Sequence, residues 1–129
     1  MRVFIAKYFS QLVSHSHSGS ICLTSAYTGL RAESGKAAYG ASKAAIIHLV
    51  KTLEEEGKKI KLSVNAIAPL IIDTQANREW MSGSKSSDDS EFDAWIKPDE
   101  IGEFVHSVFE NYNVLSGNIF QLRYRFNKH

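Results

Sequence analysis

Tyr39 and Lys43 stand four residues apart in the run Tyr39-Gly40-Ala41-Ser42-Lys43, a pairing of types that can move a proton. On a helix that spacing puts both side chains on one face. A phenol, with an ordinary pKa near 10, is a poor acid–base catalyst at neutral pH. A neighbouring ammonium favours the phenolate, lowers that pKa and makes proton exchange with a carbonyl or alcohol oxygen feasible. By itself the spacing is met equally by an aromatic ring at a core edge and a solvated helix lysine. The pair therefore gains meaning only from the elements around it.

Ala37, Ala38, Ala41, Ala44, Ala45, Ile46, Leu49, Val50 and Leu53 recur at helical intervals, which predicts a helix from about Lys36 to Glu56, stopped by Gly57. Upstream, helical spacing from Met1 to about Ser14 is broken by the Ser- and His-rich stretch to Gly19. Ser20-Ile21-Cys22-Leu23-Thr24 then reads as a buried strand, followed by a loop of small residues through Gly29 and Gly35. Downstream, Lys61 to Ile67 reads as a second strand closed by Pro69. Residues 70–97 hold the least regular pattern and a polar cluster, Ser82 to Ser90. Pro98-Asp99-Glu100 opens a third helix with types favoured in a first turn, and Ile101, Phe104, Val105, Val108 and Phe109 give it an apolar face. Ser116-Gly117 turns into a last strand, Asn118 to Tyr124, and Asn127-Lys128-His129 is expected to fray. The order helix-strand-helix-strand-helix-strand argues for an α/β layer with a parallel sheet.

The chain has 129 residues, 43% hydrophobic and 22% charged, as expected of one soluble domain spanning 1–129. Fifteen Lys and Arg against fourteen Asp and Glu leave a formal charge of +1. That balance gives no electrostatic reason for a nucleic-acid or anionic-membrane partner. Cys22 is the one cysteine, and its apolar neighbours make a small buried thiol the expected role. Lys7 interrupts the apolar start before it could serve as a signal-peptide core, and no segment nears the ~20 apolar residues of a membrane span. A cytosolic location is the expectation.

Over nearly its whole length the chain resembles the short-chain dehydrogenase/reductase family. Three blocks carry the likeness, in the family's order: Leu23-Thr24-Ser25-Ala26, Tyr39 to Lys43, and Asn65-Ala66-Ile67-Ala68-Pro69 with Thr74. The resemblance implies the C-terminal part of a Rossmann-like, doubly wound parallel sheet. It also implies an oxidoreductase that moves hydride between NAD or NADP and a small-molecule substrate. Tyr39 would be the acid/base, with Lys43 tuning it and binding the nicotinamide ribose. The backbone from Pro69 to Ile72, with Thr74, would hold the nicotinamide carboxamide. Within the family, Ile72-Asp73-Thr74-Gln75-Ala76-Asn77-Arg78 is similar to a segment of the quinonoid dihydropteridine reductases. On that likeness 70–97 is a substrate-loop region, Asn77, Arg78 and Trp80 border the substrate, and the substrate is a small carbonyl or a pterin. Helix capping and surface packing are the competing roles for these three residues.

The chain departs from the family pattern in two places. The family's catalytic serine stands thirteen residues before the tyrosine, where this chain has Ala26, with Ser25 one position further away. Either a shift in the loop lets Ser25 serve, or the serine is absent, as a quinonoid substrate that accepts hydride readily would tolerate. No Gly-x-x-x-Gly-x-Gly run occurs, so the N-terminal βαβ dinucleotide-binding unit is expected to be lacking. Binding of the cofactor by this chain alone is then in doubt. The strand Ser20–Thr24 would become a sheet edge. The resemblance implies a homo-oligomer through the first two helices, or a separate N-terminal half. A catalytically inactive remnant serving as an oligomerising or regulatory module is the competing reading of the whole chain.

No metal site is expected. His15 and His17 form a His-x-His pair without a carboxylate within ten residues and read as a solvated turn. His48 reads as a packed or interfacial residue, His106 as an ordinary helix residue, and Glu54-Glu55-Glu56 as a solvated helix end. No spacing favours a triad of Ser25, His48 and Asp73.

Overall fold

The computed structural model describes residues 7–9, 11, 18–82 and 89–125. Residues 7–9 and 11 are helical, as the spacing from Met1 to Ser14 predicts. The rest of that helix, the His15–His17 pair, residues 83–88 of the polar cluster and the Asn127–His129 tail lie outside the described residues.

Three strands, β1 (Gly19–Thr24), β2 (Leu62–Pro69) and β3 (Ile119–Leu122), form a parallel sheet in the order β1-β2-β3. All eight residues of β2 are buried, which its near-continuous apolar run predicts for a strand covered on both faces. Pairings such as Ile21 with Val64 and Ala66 with Ile119 fix the register. Helix α1 (Ala37–Gly57) joins β1 to β2, while α2 (Gln75–Ser82) and α3 (Pro98–Glu110) lie between β2 and β3.

Val50 and Leu53 of α1 pack on Leu62, Val64 and Ala66 of β2, with Ile21, Leu23 and Ile119 at the margins. Val50 and Val64 are wholly inaccessible, and burying each contributes about 1.5–3 kcal/mol. Successive strand residues point to opposite faces. Ile119 joins the α1 cluster, so Phe120 points the other way, where it meets Phe104 of α3 edge-on at 5.1 Å. The sheet thus carries α1 on one face and α3 on the other, the doubly wound α/β arrangement expected from the sequence. A Cβ on Gly57 would lie 2.5 Å from the Leu62 carbonyl oxygen, so the tight passage from α1 into β2 requires glycine.

The structure adds one α-helix to the predicted order, with short 3-10 turns at Tyr27–Gly29, Lys58–Ile60 and Asp89–Ala94. Residues 70–97, read as irregular, contain α2 and a single parallel bridge between Ile72 and Ile96. The reason lies in its length and polarity: α2 has eight residues and every described side chain is at least partly exposed, so its few apolar positions do not repeat often enough to show a helical period. The last strand is also shorter than the predicted Asn118–Tyr124, ending at Leu122.

Asn65 is the polar residue at the centre of this apolar layer, with no accessible surface. Its Nδ2 donates to the Leu115 carbonyl (2.9 Å), and its Oδ1 accepts from the backbone and side-chain amides of Asn118 (3.1 and 3.0 Å). These bonds lock the turn into β3. Asn65→Ala strands a carbonyl and an N–H in the interior, and we expect a loss of about 2–3 kcal/mol in the free energy of unfolding. Urea denaturation checks this, and an unchanged midpoint would refute it.

Candidate active site

Tyr39 lies in the first turn of α1 and Lys43 one turn further on. The Lys43 Nζ stands 5.6 Å from the centroid of the Tyr39 ring and donates to the Thr24 carbonyl at the end of β1 (3.3 Å). The Ser25 hydroxyl donates to the Lys43 carbonyl (2.8 Å), and the Ser25 N–H donates to Ile67 O of β2 (2.8 Å). Gly29 completes this anchoring: a Cβ there would sit 2.7 Å from the Lys43 carbonyl carbon. Thr24, Ser25 and Gly29 therefore fix the height and rotation of α1 at Lys43. Tyr39 needs no core contact and is 51% exposed.

Tyr39 faces a groove of about 500 Å³ at the carboxyl ends of β1 and β2. Open parallel sheets place ligands at this end of the strands. Pro69, Leu70, Ile71 and Ile72 form an apolar wall, and Asn77 and Trp80 of α2 line the same groove. Among the described residues, Lys36 and Lys43 are its charged lining residues and no carboxylate lines it. Lys36 pairs with Glu33, and its hydrogen bond is the main reason the Glu33 carboxyl lies below its ordinary range.

Of the sequence-predicted residues, Ser25, Tyr39, Lys43, Pro69, Ile72, Asn77 and Trp80 line one groove, whereas Thr74 and Arg78 do not. Ser25 is almost inaccessible at 2% and turns its hydroxyl proton to α1 rather than to the groove. Thr74 does not line the groove. Its Oγ1 accepts from the Asn77 N–H (3.3 Å), capping α2. The Asn77 side chain donates to the Ile72 carbonyl (2.7 Å). Trp80 is 68% exposed at the groove margin. Arg78 turns to Asp73, its Nε and Nη2 donating to the two carboxylate oxygens (2.5 and 2.7 Å).

Several neighbours had no signal in the sequence. Thr28 lines the groove, and Lys97 adds a second cation to Asp73. Arg78 and Lys97 hold the Asp73 carboxyl well below the usual carboxylate range. Glu100 is also held low, chiefly by the Lys97 backbone N–H and further by Arg125. Among the described residues no three His, Cys, Asp or Glu side chains converge as a metal site would require. No helix among them is long and apolar enough to cross a membrane.

Comparison with known proteins agrees with this geometry. The family model for short chain dehydrogenases matches residues 3–85. Dihydropteridine reductase of Dictyostelium discoideum is 37% identical over 87 residues, which cover 66% of this chain and 35% of that protein. Acetoacetyl-CoA reductase of Synechocystis sp. is 35% identical over 98 residues, covering 74% of this chain and 40% of its own length. Among solved structures, 4-hydroxyisoleucine dehydrogenase complexed with NADH is 27% identical, with a TM-score of 0.74 over 92% of this chain and 51% of the other. ElxO with NADP bound is 25% identical, with a TM-score of 0.82 over 94% and 51%. The chain thus spans 35–40% of these curated relatives and about half of these solved chains.

Two outcomes follow from the local packing. Gly29→Ala must push the turn away from Lys43, and we expect overpacking to cost about 1–3 kcal/mol, measured as a fall in the urea midpoint. The low-lying carboxyls of Asp73 and Glu100 set an acid limit. Their contribution to stability is complete above their ordinary values of 3.8 and 4.5 and is lost as pH falls through the depressed native values. The urea midpoint should hold from pH 7 to 5 and drop below pH 4.5, more shallowly in Asp73→Asn. A slope unaltered by that substitution would contradict the assignment.

Proposed function

The chain belongs to the short-chain dehydrogenase family, and from that premise we propose that it carries the proton-transfer site of a nicotinamide-dependent oxidoreductase acting on a small carbonyl or pterin-like substrate. One observation carries the reading: Tyr39 and Lys43 sit together on the rim of the groove, anchored to the end of β1.

The groove suits the nicotinamide riboside end of NAD or NADP. The Pro69–Ile72 wall offers an apolar surface to a flat ring, and Lys43 offers a donor to ribose hydroxyls. Backbone groups of this wall are the proposed partners of the carboxamide, with Thr74 contributing through the start of α2, which its Oγ1 caps. When bound, the reduced nicotinamide supplies a hydride to the substrate. Tyr39 gives its phenolic proton to the oxygen that gains charge, so a carbonyl becomes an alcohol. Lys43 compensates the phenolate left behind, and Thr24 O keeps its ammonium in place. Asn77, Arg78 and Trp80 form the substrate wall, Arg78 through its hold on Asp73.

The direction of the Ser25 hydroxyl supports the pterin-like option. To position a ketone, Ser25 would have to turn its proton away from Lys43 O. A quinonoid ring that accepts hydride readily has less need of that bond. The 37% identity to a dihydropteridine reductase points the same way.

A second reading has its own support. Among the described residues β1 is an edge strand, and Ala38, Ala41 and Ala45 of α1 are exposed, a surface suited to pairing with another copy or with an N-terminal half. On this reading the chain is an oligomerising or regulatory module. Cytosolic residence belongs to both proposals.

Titrating NADH and NADPH against the purified chain, alone and with an N-terminal half from a relative, separates them by nicotinamide fluorescence. We expect saturable binding and turnover of quinonoid dihydropterin. Tyr39→Phe should cut turnover about 10²–10⁴-fold while leaving binding within about threefold, and Lys43→Ala should weaken both. Saturable binding in neither setting would remove the enzyme reading, and full turnover by Tyr39→Phe would remove Tyr39 as the proton donor.

A further inference from the structure

Helix α2 supplies Asn77 and Trp80 to the groove, yet little in its own sequence keeps it there. It has eight residues, too few to be stable in isolation, and none of its described side chains is buried. Its position must come from a few polar contacts at its start.

Those contacts converge on Asp73. The Asp73 N–H donates to Ile96 O (2.8 Å), next to the Ile72–Ile96 bridge. This fixes its backbone above a small cluster of buried Phe92, Trp95 and Ile96. The Asp73 side chain is 6% accessible and accepts from both Arg78 of α2 and Lys97, which precedes α3. The bidentate geometry of Arg78 defines an orientation as well as an attraction. The Arg78 guanidinium also lies 4.8 Å from the Phe92 ring centroid, so Arg78 ties α2 to that cluster as well. Asp73 thus joins the strand exit, α2 and the segment entering α3.

We infer that Asp73 is a positioning residue that, through Arg78, holds α2 so that Asn77 and Trp80 close one side of the groove opposite Tyr39. Asp73 does not line the groove, so it acts on substrate capture and not on proton transfer. The kinetic part of this inference rests on the proposed hydride-transfer activity; the structural part does not.

Amide hydrogen exchange on the full chain tests it directly. In Asp73→Asn, protection of amides in residues 75–82 should fall at least tenfold, and Val50 and Val64 in the core should remain the slower to exchange. Unchanged exchange across α2 would overturn the inference. Should Asp73→Asn fail to fold, Arg78→Met removes the same bond from a side chain that is 43% accessible and must give the same α2-specific loss; unchanged exchange there overturns it equally. In turnover assays both variants should raise KM at least fivefold with kcat within about twofold, and Arg78→Lys should recover part of the loss. A fall in kcat at constant KM would count against positioning. Absence of turnover in every variant and in the unaltered chain would count against the hydride-transfer reading alone, leaving exchange to decide on Asp73.

Discussion

A parallel strand buried from end to end sets the terms for this molecule. β2 exposes nothing, so both of its faces must be covered and both of its neighbours must be strands. The apolar stripe of α1 meets the first demand on one side, and α3 meets it on the other. Every backbone group along such a strand also needs a partner. Asn65 and Ser116 meet that need where β3 begins late: the Val64 N–H donates to the Ser116 hydroxyl and the Val64 carbonyl accepts from Gly117. The carboxyl end of β2, where Pro69 ends the ladder, is then the natural place for the chain to diverge and leave a cleft.

The cleft inherits its polarity from that divergence. Lys43 lies on α1 and Lys36 just before it, and the carboxylates Glu33 and Asp73 are both engaged, Glu33 by Lys36 itself and Asp73 by Arg78 and Lys97. A ligand there meets an apolar wall on the side of β2 and a cationic rim on the side of α1. Such a wall suits a flat ring, and such a rim suits an oxygen that gains negative charge during reaction. The same division explains why Tyr39 stays half-exposed: burying it would remove the phenol from the surface at which it acts.

The legible parts of the fold were those written in local spacing. Tyr39 and Lys43 share a face because of a four-residue interval, α1 shows its stripe, and β2 shows its apolar run. The hidden parts depend on contacts between distant segments. Lys97 lies 24 residues from Asp73, and nothing in either neighbourhood announces the pairing. Ser25 is recognisable as a serine at a strand end, but its hydroxyl turns to Lys43 O because Gly29 lets the two segments approach. Thr74 stands in a recognisable block, yet its capping bond depends on where α2 starts, and α2 itself is too short for its few apolar positions to betray it.

One residue of β1 offers a reporter of this architecture. Cys22 lies in the middle of the strand, paired with Asn65 of β2, and burial pushes its thiol up from its ordinary value, which makes it a slow nucleophile at neutral pH. The side chain is only part-buried, so an alkylating reagent can reach it in the folded chain. The labelling rate of a single sulfur therefore reports how accessible this strand is, and any molecule that docks along it would slow the reaction.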